Sequence, residues 1–273
     1  MWGEVTPAER LRSITRRSFA DDALAAEAAD ALAGFASEPA SLVVACRRVL
    51  AHHRAHGALW WVCARILAAA EPAAAARDAV RVLEADPTAR RLAAALPLTD
   101  EDEVVAIVGW SDAVDAALEE RVDLPAVVVR TDGADPTSAL RRRRVERSVR
   151  LVEPWDPVLA RTARLLVPAA AIGPDRALVP AGTVALLDGP GSAARGVWLV
   201  GGAGRVLPGR LFEAVVAAVP PPAASGAGAE QAFELMALDR VDRIAGPRGV
   251  GPPAEAAARG DCPVVPELLR PLD

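Results

Sequence analysis

Val104-Val105-Ala106-Ile107-Val108 decides the fold. It is a short continuous apolar run, preceded by the acidic stretch Asp100 to Glu103 and followed by Gly109, and it reads as a buried β-strand. Outward from it the pattern repeats. Ser111 to Glu120 reads as a helix, Ala126-Val127-Val128-Val129 as a second strand, and Asp135 to Arg147 as a helix. Val149-Arg150-Leu151-Val152 is a third strand and Asp156 to Arg161 a short helix. Arg164-Leu165-Leu166-Val167 and Gly196-Val197-Trp198-Leu199-Val200 are the fourth and fifth strands. Buried strands alternating with helices predict an α/β fold, a doubly wound Rossmann-like parallel sheet covered on both faces. The last strand and helix are not resolved by the pattern. Pro220 to Gly228 is expected to be a surface loop or linker, with Gln231 to Ala245 and the tail from Cys262 packing back.

Upstream of Leu98 no strand pattern occurs. Helices are expected from Asp21, as cap, to Ala33, from about Ser41 to His56, and from Ala58 to Ala70. Others follow from Pro72 to about Glu84 and near Thr88 to Ala95. Gly57 is expected to break the second, and the third, with Leu59, Trp60, Val62, Cys63, Ile66 and Leu67, is apolar on most sides and so buried. Two domains are therefore expected: an all-helical N-terminal domain over 1–98 and a Rossmann-like domain over 99–273.

Composition narrows the function. Hydrophobic residues make up 52% of the 273, much of that alanine, and charged residues 25%. No apolar run approaches the ~20 residues of a membrane span, and the start of the chain mixes Glu4, Glu9, Arg10 and Arg12 rather than forming a signal peptide. A cytoplasmic protein is expected. The net charge of −5 argues against nonspecific nucleic-acid binding. Three widely spaced cysteines, Cys46, Cys63 and Cys262, without a CxxC pair, read as free thiols in a reducing compartment. Lysine, tyrosine and asparagine are absent throughout. That excludes a Schiff-base lysine, a phosphate-loop lysine and a tyrosine acid, and leaves arginine to bind any anion.

In a doubly wound sheet the ligand site lies at the carboxyl ends of the strands. This singles out Gly109 to Asp112, Arg130 to Asp135, Glu153 to Asp156, Ala169 to Asp175 and Gly201 to Arg205. Gly201-Gly202-Ala203-Gly204 lacks the third glycine of a dinucleotide fingerprint and reads as a loop. His52 and His56, spaced by four on one expected helix, would face the same way, yet no third ligand accompanies them, and no metal or cofactor is expected. The run Arg141 to Arg144 reads as a solvated helix face, with an anion or an acidic partner as the alternative. Nothing like GxSxG surrounds Ser111, so no hydrolase triad is expected. Asp175, in Ala171-Ile172-Gly173-Pro174-Asp175, has two open readings. It is a carboxylate placed to hold a sugar hydroxyl or move a proton, or a turn aspartate bonded to its own backbone.

The segment Leu165-Leu166-Val167-Pro168-Ala169-Ala170-Ala171-Ile172-Gly173-Pro174-Asp175-Arg176-Ala177-Leu178-Val179-Pro180-Ala181-Gly182 is similar to the "vlvGADaVl.nG.vvNKiGT" segment of the translation initiation factor 2B alpha/beta/delta family. That superfamily includes methylthioribose-1-phosphate isomerase and ribose-1,5-bisphosphate isomerase. Val105 to Leu118 resembles its "vlTlS.SstVl.aL", Val127 to Pro136 its "V.vaEsRP", and Val149 to Asp156 its next strand and acidic turn. Trp198 to Pro208 resembles its "PfyVvaetykf", and Phe233 to Val250 its closing "fe.vp.elIt.iiTe.Gv". Upstream, His56 to Trp61 resembles its "rPtMAPl.n".

The resemblance implies a helical unit before a Rossmann-like one, and pairing into a homodimer. It lays Asp175 on the aspartate of "GAD", a catalytic acid/base in the isomerases. It also shows departures. Where the isomerases place a catalytic cysteine stand Gly109 and Trp110, the "SRP" arginine falls near Gly133 with only Arg130 close, and the "NK" pair falls near Ala185 and Leu186. The expectation is a divergent protein that binds a small phosphorylated molecule, a sugar phosphate or a nucleotide, without standard isomerase chemistry. Asp175 would take a hydroxyl, Arg130 and Arg205 the phosphate, and Ser111, Asp112 and Gly173 complete the pocket. The alternatives are an active isomerase using Asp175 with a substituted partner such as Asp112, and a non-catalytic assembly or regulatory protein.

Overall fold

The computed structural model describes residues 6–14, 23–97, 103–131, 149–189, 196–221, 232–258 and 260–272. The expected helix over 135–147, the arginine run within it, the expected cap at position 21 and the loop from residue 222 onward lie outside the described residues.

The first part of the chain is helical: α1 (Pro7–Ile14), α2 (Ala23–Ala33), α3 (Pro39–His52), α4 (Gly57–Ala68), α5 (Pro72–Glu84) and α6 (Thr88–Ala95). Proline begins α3 and α5, where its missing N–H is not needed and its φ suits a helix. The α3 helix stops at His52, earlier than expected, and Gly57 opens α4 rather than breaking α3. The α4 helix is buried on nearly every side, Trp60 and Trp61 included. Both indoles of α4 have a partner: Trp60 Nε1 donates to the carbonyl of Arg54 at 2.8 Å, and Trp61 Nε1 to Asp261 Oδ1 at 3.0 Å.

The second part contains β1 (Val104–Val108), α7 (Asp112–Glu120), β2 (Ala126–Val129), β3 (Arg150–Val152), β4 (Thr162–Pro168), β5 (Ala171–Ile172) and β6 (Arg176–Pro180). It continues with α8 (Thr183–Asp188), β7 (Gly196–Val200), α9 (Gly209–Ala218), β8 (Phe233–Ala237), β9 (Arg243–Gly246), β10 (Gly249–Gly251) and α10 (Pro253–Ala258). The main sheet has seven strands in the order β10-β9-β7-β4-β1-β2-β3. All its pairings are parallel except β9 with β10. Strand order reverses between β1 and β4, the switch point of a doubly wound sheet. Both faces are covered, as the apolar strands require. Val104, Ala106 and Val108 turn to one side, under α8 and α10 residues such as Leu186 and Ala256. Val105 and Ile107 turn to the other, under Leu92 of α6 and Val114 of α7. Arg121 joins the two helices by donating to the carbonyls of Ala93 and Leu96 at the end of α6.

A second sheet, β5-β6-β8, was not legible in the sequence. Its first strand has two residues, and the second follows Pro174 and ends on Pro180, so the region reads as loop. The α9 helix was missed too, because it starts on Gly209 behind Pro208. This small sheet and α9 meet the helical part: Ala171, Leu178 and Phe233 of the sheet and Phe212 of α9 share one apolar cluster with Leu24, Leu50, Leu59 and Trp60. The tail closes the same cluster with Val265 and Leu268. Arg47 of α3 clamps it, donating to the carbonyls of Glu267 at 3.1 Å, Arg270 at 3.3 Å and Pro271. Packing is thus continuous from the helices into the sheets.

Candidate functional site

Three strand ends meet at the switch point: β1 leads into Gly109-Trp110-Ser111, β4 into Ala169-Ala170, and β7 into Gly201 to Arg205. Ser111 caps α7, its Oγ accepting the N–H of Val114 at 3.3 Å. Asp112 and Asp115 stand in the first turn of that helix, where its dipole favours negative charge. From the β7 side comes Arg205, 9% exposed, whose Nη1 donates to the carbonyl of Ala170 at 3.2 Å. Its backbone is held as well: the Ile172 N–H donates to the Arg205 carbonyl at 2.7 Å, and the Leu207 N–H to the Ile172 carbonyl at 2.8 Å.

The helical part supplies the remaining wall. Asp86, between α5 and α6, accepts the Ala203 N–H on Oδ2 at 2.7 Å and the Thr88 N–H on Oδ1 at 2.9 Å. A small cleft of about 170 Å³ is enclosed here by Asp86, Thr88, Asp112, Ala113, Ala203 and Arg205. A larger one of about 420 Å³ opens on the far side of the same loop, bounded by Trp61, Gly204, Arg248, Glu255 and Asp261. Gly202 and Ala203 line both, so this stretch of main chain is a partition between them. Gly204 has a φ of 75°, a left-handed conformation natural only to glycine, and an added Cβ would stand 3.1 Å from both Ala58 Cα and the Trp61 ring.

The expected site residues divide. Asp112 and Arg205 come together across the small cleft, with Ser111 at the helix end beside them. Arg130 lies on neither cleft wall; it pairs with Glu153 at 3.2 Å, both side chains about half exposed (51% and 42%). Gly173 belongs to packing rather than to either cleft: a Cβ there would fall 2.5 Å from the Phe212 ring. Asp175 sits in the turn between β5 and β6 with its side chain 71% exposed, 3.7 Å from Arg176 Nε, and borders neither cleft.

Sequence reasoning missed Asp86, Thr88 and Trp61. Asp86-Pro87-Thr88 does carry a local signal, an aspartate placed to accept from the first turn of a helix. Its link to Ala203 has none. The paired histidines dissolve for a simpler reason: His52 ends α3 while His56 precedes α4, so they share no helix face. Among the described residues no group of three or more His, Cys, Asp or Glu side chains is gathered to hold a metal, and no helix is long and apolar enough to cross a membrane.

No family model matches the chain, and no curated protein does. Solved structures do. The tetrameric beta2-delta2 complex of eIF2B from Chaetomium thermophilum gives a TM-score of 0.66 at 14% identity, over 92% of this chain and 92% of that one. The translation initiation factor eIF-2B of Pyrococcus horikoshii OT3 gives 0.64 at 14% identity, over 92% and 98%. The 5-methylthioribose 1-phosphate isomerase of the same organism gives 0.59 at 14% identity, over 93% and 86%. At such identities the likeness is one of fold, and it is the fold that the sequence motifs implied.

Proposed function

We propose that this chain, built on the fold of the initiation factor 2B subunits and of methylthioribose-1-phosphate isomerase, binds a small phosphorylated molecule at the ends of β1, β4 and β7 without standard isomerase chemistry. The observation that carries this reading is the buried Arg205 facing the amino end of α7 across one cleft. A guanidinium and a helix N-terminus are both anion partners. Asp86 and Asp112 on the same walls are acceptors, so the ligand needs hydroxyl donors beside its anion. A sugar phosphate meets both demands; a bare anion meets only the first. Arg205 and the first N–H groups of α7 take the phosphate, and Asp112 takes a hydroxyl. The absence of a thiol after β1, and the exposure of Asp175 away from the clefts, support binding over catalysis.

Titration calorimetry with ribose 5-phosphate tests the reading. Binding that weakens at least tenfold in Arg205→Ala and is unchanged in Asp175→Ala is the expected result. Loss in Asp175→Ala with retention in Arg205→Ala would move the site to the β5–β6 turn and restore the isomerase alternative. A second reading, self-association, is favoured by the tetrameric assembly of one structural neighbour. It is compatible with the first, and light scattering that returns a monomer would reject it.

A further inference from the structure

The partition between the two clefts is anchored from outside its own segment by a carboxylate. Asp86 Oδ2 accepts the N–H of Ala203 at 2.7 Å, and an added Cβ on Gly202 would stand 2.7 Å from the same oxygen. The other oxygen, Oδ1, takes both the N–H and the hydroxyl of Thr88, at 2.9 and 2.5 Å, where α6 begins. One carboxylate therefore starts a helix of the N-terminal part and fastens the loop after β7. Two residues beyond Ala203 stands Arg205, and the turn closes on itself through the Arg205 N–H and the Gly202 carbonyl at 3.2 Å. The backbone of Arg205 is thus bonded to Gly202 through its N–H and to Ile172 through its carbonyl, and Asp86 holds the Ala203 between them.

We propose that Asp86 is the positioning residue of the ligand site, a latch by which the helical part sets the Gly202–Ala203 partition and, through it, the guanidinium of Arg205. The proposal rests on the ligand reading above for its effect on affinity, and on geometry alone for its effect on the loop. A side chain held within ~0.5 Å of its productive place binds well, and one freed from its support does not. The absence of a side chain on Gly202 is part of the device, because among the described residues beyond its chain neighbours the atoms within 4 Å of a Cβ there belong to the Asp86 carboxyl.

Two variants and their combination test it. In Asp86→Ala the Ala203 amide, followed by proton exchange in NMR spectra, is expected to exchange faster, and ribose 5-phosphate to bind at least tenfold more weakly. Gly202→Ala is expected to do the same, because its methyl displaces the carboxylate. The double variant is expected to be no worse than either single one, since the methyl then meets no carboxylate. Leu50→Ala, a core change in α3, serves as the control for general destabilisation and is expected to leave the affinity of the folded protein unchanged. Unaltered Ala203 exchange in Asp86→Ala, or additive losses in the double variant, would overturn the latch. If wild-type protein fails to bind ribose 5-phosphate, the ligand reading falls, and faster Ala203 exchange still upholds the latch.

Discussion

The N–H of Gly57 donates to the carbonyl of Ala170 at 2.9 Å, and the same oxygen accepts from Arg205. One carbonyl at the end of β4 thus joins the start of α4 to the loop after β7. A Cβ on Gly57 would come 2.6 Å from that oxygen and 3.1 Å from Ala171 Cβ, both in firmly packed surroundings. Gly57→Ala should lower the unfolding free energy in urea by ~1–3 kcal/mol, the usual penalty of forcing atoms into a packed site. An unchanged urea midpoint would show that α4 and β4 do not meet as closely as described.

Gly173 makes a parallel case with a cleaner control. Its missing side chain is filled by the Phe212 ring, 2.5 Å from where a Cβ would lie. Gly173→Ala is expected to destabilise by ~1–3 kcal/mol in wild-type protein, and by clearly less when Phe212 is already Leu. Equal penalties in the two backgrounds would exclude the ring as the cause.

Ser111→Ala removes the acceptor for the Val114 N–H at the start of α7. A loss of ~1 kcal/mol is expected in chemical denaturation, and Ser111→Asp should recover most of it. Failure of the aspartate to recover stability would assign Ser111 a role other than capping.

Cys262 gives a pH prediction. Burial first, and the neighbouring Asp261 carboxylate second, push its thiol up to about 12 from an ordinary 9.0, with Arg65 opposing. The folded chain therefore holds a proton that the unfolded chain loses. Below pH 9 both states are protonated and nothing changes. Between about 9 and 12 unfolding releases a proton, so stability falls as pH rises. Cys262→Ser should flatten that decline in thermal melts between pH 8.5 and 10.5, and a parallel decline in both proteins would refute the assignment.

Much of this was legible in the sequence. Short apolar runs such as Val104 to Val108 are buried on both faces, and only a covered parallel sheet accepts them in series. The helices of the first part announced themselves by period and by proline starts. Local signals reach only as far as neighbouring residues, however. The three-stranded sheet depends on pairing β6 with β8, far apart in sequence, and its strands are short and interrupted by proline. The same limit applies to Asp175: its place in the turn between β5 and β6, with its side chain exposed, follows from a hairpin that the local sequence does not announce.

What the sequence determined by itself was the order of helix and strand, the strand ends beside which Ser111, Asp112 and Arg205 stand, and arginine as the only permanent cation. Tertiary structure decided which of those ends close into a cleft, and that Asp86 belongs there. The physical reason lies in the hydrogen bond between the Asp86 carboxylate and the Ala203 N–H, a contact between distant segments that exists only once both have packed onto the same core.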